Sequence, residues 1–134
     1  MSPADALNTR PGNTKHVILV VDDESAIRDF LEIYLRSKNF KVLTAGNAQE
    51  ALAICEQTPF QIDLLLTDVV MPGMNGKMLA DKLRTSMPNL KVIFMSGYLP
   101  HEVAEETLEE TFFKKPFHPV ELLEAIRESL HSTG

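Results

Sequence analysis

Five short apolar runs, separated by stretches of helical periodicity, constrain this chain more than any other feature in it. His16 to Val21, Lys41 to Ala45, Asp63 to Thr67, Lys91 to Met95 and Thr111 to Lys114 are brief and carry mainly Val, Ile, Leu and Phe at their centres. Such runs, bounded by polar residues, suit strands buried on both faces. Between them Ile27, Leu31, Tyr34 and Leu35 recur at helical spacing, as do Ala48, Ala51, Leu52 and Cys55, and then Met78, Leu79 and Leu83. Pro100 to Glu110 forms a weaker helical pattern. Pro119, Leu122, Leu123, Ile126 and Leu130 form a last amphipathic helix with proline early in its first turn. Strand and helix thus alternate about five times, which predicts an α/β fold with a five-stranded parallel sheet and helices on both faces.

Length and charge narrow the range of functions. The 134 residues suffice for one domain. Residues 15–131 carry the periodic pattern. Met1 to Thr14 hold two prolines, a glycine and little that packs, and read as a flexible tail. The net charge of −6 argues against non-specific binding to nucleic acid or to an anionic membrane, and leaves room for cations and basic proteins. Cys55 is the single cysteine, so an internal disulfide is excluded and a reducing, cytoplasmic setting is expected. The apolar runs fall far short of the roughly 18 residues that a membrane helix needs.

In a parallel sheet of this kind, sites lie at the carboxyl ends of the strands, near the switch in strand order. The first strand delivers Asp22 and Asp23 to that edge, the third Asp68, the fourth Ser96 and the fifth Lys115. Three neighbouring carboxylates raise one another's pKa or demand a cation. Their hard oxygens suit Mg²⁺, whereas the cysteine and histidine ligands that zinc favours are absent from the cluster. A metal, an ammonium and a hydroxyl around one carboxylate make a site for a phosphoryl group, with the carboxylate as nucleophile.

Each residue alone also has a plain structural reading. Asp22 and Asp23 suit a helix cap, Asp68 and Ser96-Gly97 suit turns, and Lys115 suits a solvated surface. Capping does not account for the lysine, however, and turn preference does not account for the grouped carboxylates. Four of the five strands end on charged or hydroxyl residues at the same edge.

The motifs Val20-Val21-Asp22-Asp23-Glu24, Leu66-Thr67-Asp68 with Val69 to Gly76, Met95-Ser96-Gly97-Tyr98 and Lys114-Lys115-Pro116-Phe117 resemble, in order, those of the receiver domain of bacterial two-component response regulators. The resemblance runs from about Lys15 to Leu130 and implies a (βα)5 doubly wound, flavodoxin-like fold. It also implies that Asp68 is the phosphoacceptor, taking its phosphoryl group from a phosphohistidine on a sensor histidine kinase or a histidine phosphotransfer protein. Asp23, Asp68 and the backbone carbonyl of Val70 would bind Mg²⁺ directly, and Asp22 through water. Ser96 would hydrogen-bond the phosphoryl group and Lys115 would pair with it, held by a cis bond to Pro116. Phe112 falls at the aromatic switch position. Phosphorylation would draw Ser96 inward and let Phe112 turn, changing the face around the fourth predicted helix, the fifth strand and the last helix for an unidentified downstream protein.

The chain departs from many members of the family it resembles in carrying phenylalanine at position 112 in place of tyrosine, where no hydroxyl can fix an outward position. The segment Glu102 to Glu110 is acidic and has few apolar residues, which predicts a mobile, partner-facing helix. Tyr98-Leu99-Pro100 resembles the corresponding loop of receivers that work with hybrid sensor kinases, and Val70 and Tyr98 are the side chains expected to tune phosphoryl lifetime. With only four residues after Leu130, the expected unit is a single receiver, free-standing or excised from a hybrid kinase, that signals by protein binding and does not turn over a substrate. Two other readings share the chemistry or the topology. A Mg²⁺-dependent aspartyl-phosphate phosphohydrolase of the haloacid-dehalogenase type would need its nucleophile on the first strand and a cap domain. A flavin binder would need a phosphate-cradling loop where Asp23 and Glu24 stand.

Overall fold

The computed structural model describes residues 15–59, 61–97 and 111–131. The elements run β1 (Val17–Val21), α1 (Ser25–Ser37), β2 (Lys41–Ala45), α2 (Ala48–Gln57), β3 (Leu64–Asp68), α3 (Gly76–Ser86), β4 (Lys91–Ser96), β5 (Thr111–Lys114) and α4 (Pro119–His131). The expected tail and the acidic segment Pro100 to Glu110 lie outside the described residues.

All strand pairings are parallel, in the order β2-β1-β3-β4-β5. The chain leaves β1 for β2 on one side and returns to place β3 on the other. The switch in strand order therefore falls between β1 and β3, and the loops after these two strands open a crevice there.

Side-chain alternation sorts the core into two layers. Leu19, Val21, Leu65 and Phe94 pack on one face with Ala51 of α2 and Leu79 and Leu83 of α3. Ile18, Val20, Leu66 and Met95 pack on the other with Leu31 and Leu35 of α1 and Leu122 and Ile126 of α4. Every residue of β1 and β3 is buried, whereas the edge strands β2 and β5 are only partly covered. This is why the central runs read as unbroken apolar stretches. Burying one such side chain contributes about 1.5–3 kcal/mol, so the two layers dominate the stabilisation of the domain.

Local signals explain the helix ends. Asn47 and Asn75 cap α2 and α3, their side-chain oxygens accepting the N–H groups of Glu50 and Met78, both at 2.8 Å. After α1, Asn39 takes a left-handed φ of 72°, and the Phe40 N–H donates back to the Leu35 carbonyl, closing the helix before β2.

Strand boundaries differ from the sequence reading by a residue at several ends. β1 begins at Val17, one residue later than His16, and β3 at Leu64, because the Asp63 carboxylate accepts the Val17 N–H at 2.7 Å in place of a ladder bond. β3 and β4 run one residue further, through Asp68 and Ser96, because Asp68 pairs with Met95 and Ser96 with Lys114 in register. The functional side chains at these positions are thus held by the sheet itself.

Candidate functional site

Asp22 sits at the end of β1 and is fully buried. Its Oδ1 accepts the Glu24 N–H at 2.8 Å, and its Oδ2 accepts a hydrogen bond from Lys115 Nζ at 2.7 Å. The N-cap position of α1 belongs to Glu24, which makes no side-chain cap, so Asp22 and Asp23 do not cap the helix. Asp68, at the end of β3, accepts from Lys115 Nζ at 3.1 Å through Oδ2 and from the Val70 N–H at 3.3 Å through Oδ1. Asp23 is exposed at the mouth. One oxygen from each of Asp22, Asp23 and Asp68 can lie within 4.8 Å of the others.

Lys115 is the counter-ion of this group. Its side chain is 9% exposed, so the surface reading for this residue does not hold. It reaches the cluster from the end of β5, where its N–H donates to the Ser96 carbonyl at 2.8 Å and its bond to Pro116 is cis. Glu24 adds a looser ion pair at 3.5 Å from the exposed side. Burial works against the charged form of Lys115, but its hydrogen bonds to Asp22 and Asp68 outweigh that and hold its pKa above the ordinary value. Burial raises the pKa of Asp68, the Lys115 hydrogen bond partly offsets this, and the like charge of Asp22 adds to the rise.

Ser96 is buried at the end of β4, in the strand next to Asp68. Phe112 is half-buried and packs on the layer beneath α2 and α3, a partly packed aromatic two strands from Asp68. Val70 is exposed at the pocket rim. His118 stays out of the cluster, and its carbonyl accepts the Leu122 N–H at the start of α4.

Three further residues shape the site in ways the sequence did not assign to them. Gly76 opens α3 directly against the end of β3, and a Cβ there would stand 2.1 Å from the Asp68 carbonyl oxygen. Thr67 donates its hydroxyl to the same oxygen at 3.0 Å. Arg28, on α1, donates to the Asp22 carbonyl at 2.7 Å. Gly76 lies in a glycine-rich loop that reads as ordinary turn chemistry, and nothing in the spacing of Arg28 marks it.

The three carboxylates offer only hard oxygen donors at mutual distances that one small cation can span, so the donor set fits Mg²⁺. Beside them a groove of about 690 Å³ is lined by Ile27 and Phe30 of α1, by Phe117 and Pro119, and by Asp68 and Lys115. The charged cluster and an apolar groove therefore share one opening.

The family model of the response regulator receiver domain matches residues 18–127. The chain belongs to the response regulator receiver domains. The sensor kinase CckA of Brucella abortus is 35% identical over 84% of this chain, which spans only 12% of that kinase. A receiver domain from Methanospirillum hungatei superposes with a TM-score of 0.80 at 33% identity, covering 87% of this chain and 94% of the other. The response regulator TrrA of Thermotoga maritima, solved in complex with Mg²⁺ and BeF, has a TM-score of 0.73 at 30% identity, over 85% of this chain and 98% of that one. A receiver is a phosphorylation-dependent signalling module of two-component systems, and this one has the five-stranded parallel architecture of the family. Among the described residues no helix is long and apolar enough to cross a membrane.

Proposed function

We propose that this receiver is phosphorylated on Asp68 by a phosphohistidine of a sensor histidine kinase or histidine phosphotransfer protein. The observation that carries this reading is one ammonium, that of Lys115, bonded to both Asp22 and Asp68. The Asp68 carboxylate is desolvated, which strengthens it as a base and nucleophile, yet Lys115 keeps its charged form accessible. Its oxygen attacks phosphorus, an O–P bond forms, the P–N bond to the donor imidazole breaks, and the ring nitrogen retains the electron pair.

Asp23, Asp68 and the Val70 carbonyl would hold Mg²⁺ directly, with Asp22 in support. When bound, the cation neutralises charge on phosphoryl oxygens. Lys115 pairs with one of those oxygens and Ser96 donates its hydroxyl to another. That draws Ser96 toward Asp68 and gives Phe112 room to turn, so that the surface around β5 and α4 changes for a downstream protein. A ligand of this kind shifts the equilibrium only by its differential affinity for the two states.

The groove beside Asp68 supports a macromolecular donor. Ile27, Phe30 and Phe117 offer apolar surface within reach of the nucleophile, and Phe30 is 45% exposed. We read the domain as a switch that does not turn over a substrate in quantity. Sharing the edge of the sheet with a phosphohydrolase does not make it one, since the nucleophile here ends the third strand and not the first.

The test is incubation with Mg²⁺ and a small phosphodonor, followed by intact-mass measurement of wild type and Asp68→Asn. A single base-labile phosphoryl adduct, lost in Asp68→Asn, is expected. Sustained hydrolysis of simple phosphoesters would overturn the switch reading, and an adduct that persists in Asp68→Asn would overturn the assignment of the nucleophile.

A further inference from the structure

Four polar groups of Asp22 are each tied down. Its N–H donates to the Ala45 carbonyl at 3.1 Å, its Oδ1 accepts from Glu24, its Oδ2 accepts from Lys115, and its carbonyl accepts from Arg28 Nη1 at 2.7 Å. Three of these partners belong to the sheet edge or to the charged cluster. Arg28 belongs to neither. It stands on α1, is half-buried, and reaches back to the main chain that carries the acidic pair.

The Asp22 carbonyl lies in the same rigid peptide plane as the Asp23 nitrogen. Anchoring that oxygen therefore fixes the peptide plane from which the exposed Asp23 side chain leaves the loop. The guanidinium also lies beside the loop after β2, where a Cβ on Gly46 would stand 3.3 Å from Arg28 Nη1. Arg28 thus ties α1 to the loop after β1 through the Asp22 carbonyl.

We propose that Arg28 is a positioning residue that sets the Mg²⁺ affinity of the acidic cluster by fixing the Asp22–Asp23 peptide. This rests on the reading of Asp23 and Asp68 as metal ligands. It also has a sign that separates it from plain electrostatics. As a nearby cation Arg28 repels Mg²⁺, so a purely charge-based role predicts tighter binding once it is removed. Positioning predicts weaker binding, because partners that orient ligands typically govern affinity by about 10-fold or more. A merely structural brace predicts a lower Tm with Mg²⁺ affinity intact.

Mg²⁺ titration of the whole chain by calorimetry, with Tm measured in parallel, tests this on wild type, Arg28→Ala, Arg28→Lys and Asp23→Asn. Arg28→Ala is expected to weaken Mg²⁺ binding by about 10-fold, with Arg28→Lys in between because it keeps one charged donor. Unchanged or tighter binding in folded Arg28→Ala overturns the proposal. Should that variant not fold, wild-type affinity in Arg28→Lys overturns it. Asp23→Asn is the control for the underlying reading. If wild type and Asp23→Asn bind Mg²⁺ equally, or neither binds, the metal site itself falls and the role of Arg28 falls with it.

Discussion

Asp63 and Asp68 flank β3 at its two ends, and the fold treats these two carboxylates in opposite ways. At the amino end, Asp63 accepts the Val17 N–H through its side chain and donates its own N–H to the Val17 carbonyl at 2.9 Å, stitching β1 to β3. Its backbone carbonyl also accepts from Lys91, so β4 is joined as well. That carboxylate meets a main-chain donor and ties β1 to β3. At the carboxyl end, Asp68 faces a second buried carboxylate and shares one ammonium with it. Charge there is concentrated beyond what folding requires. The difference teaches that a strand-end aspartate is structural where it joins neighbouring strands through their main chain, and marks a candidate site where it shares one ammonium with a second carboxylate.

The largest expected effect that would sharpen this contrast comes from Lys115→Ala. Removing one partner of a buried ion pair costs about 3–5 kcal/mol, and here two carboxylates lose the same cation. Urea denaturation should show a loss of that size without Mg²⁺ and a smaller loss with saturating Mg²⁺. Equal losses in both conditions would mean that metal and lysine do not share the same charge. Gly76→Ala comes next. Its methyl meets the Asp68 carbonyl, and overpacking of this kind costs about 1–3 kcal/mol. It should also slow phosphorylation by a small phosphodonor, because the displaced backbone carries Asp68.

Asp63→Ala breaks the comparison from the other side. Loss of its bond to Val17 should cost about 1–2 kcal/mol and leave the phosphorylation rate per folded molecule unchanged. A large fall in that rate would show that the two ends of β3 are not separable.

The smallest effect is the pH dependence of metal-free stability. The pKa of Asp68 is raised in the fold above its ordinary 3.8. Its contribution is therefore fully present below that ordinary value and is lost as pH rises through the folded value. Lys115 is likewise raised, from 10.5, so its contribution persists through neutrality and is lost only as pH climbs beyond that ordinary value. Asp68→Asn should remove this loss and flatten the stability profile as pH rises above 3.8. An unchanged profile in chemical denaturation across pH would show that Asp68 does not carry it.

The alternation of buried runs and amphipathic helices was legible residue by residue. Val17 to Val21 and Leu64 to Leu66 have no polar interruption because both faces of the central strands are covered, and that pattern determines a parallel α/β sheet. The same pattern brings Asp22, Asp23, Asp68, Ser96 and Lys115 to one edge, since every parallel strand ends there. Strand ends were off by one residue because hydrogen bonding in register, as between Asp68 and Met95, depends on a neighbour distant in sequence. The sequence by itself therefore determined the layers and the composition of the site. Only the tertiary structure decided that Lys115 is buried between Asp22 and Asp68, that Gly76 must lack a side chain, and that Arg28 reaches back to the Asp22 carbonyl. The physical reason is range: hydrophobic periodicity is written locally, whereas charge pairing and close backbone approach arise only when separate loops meet in space.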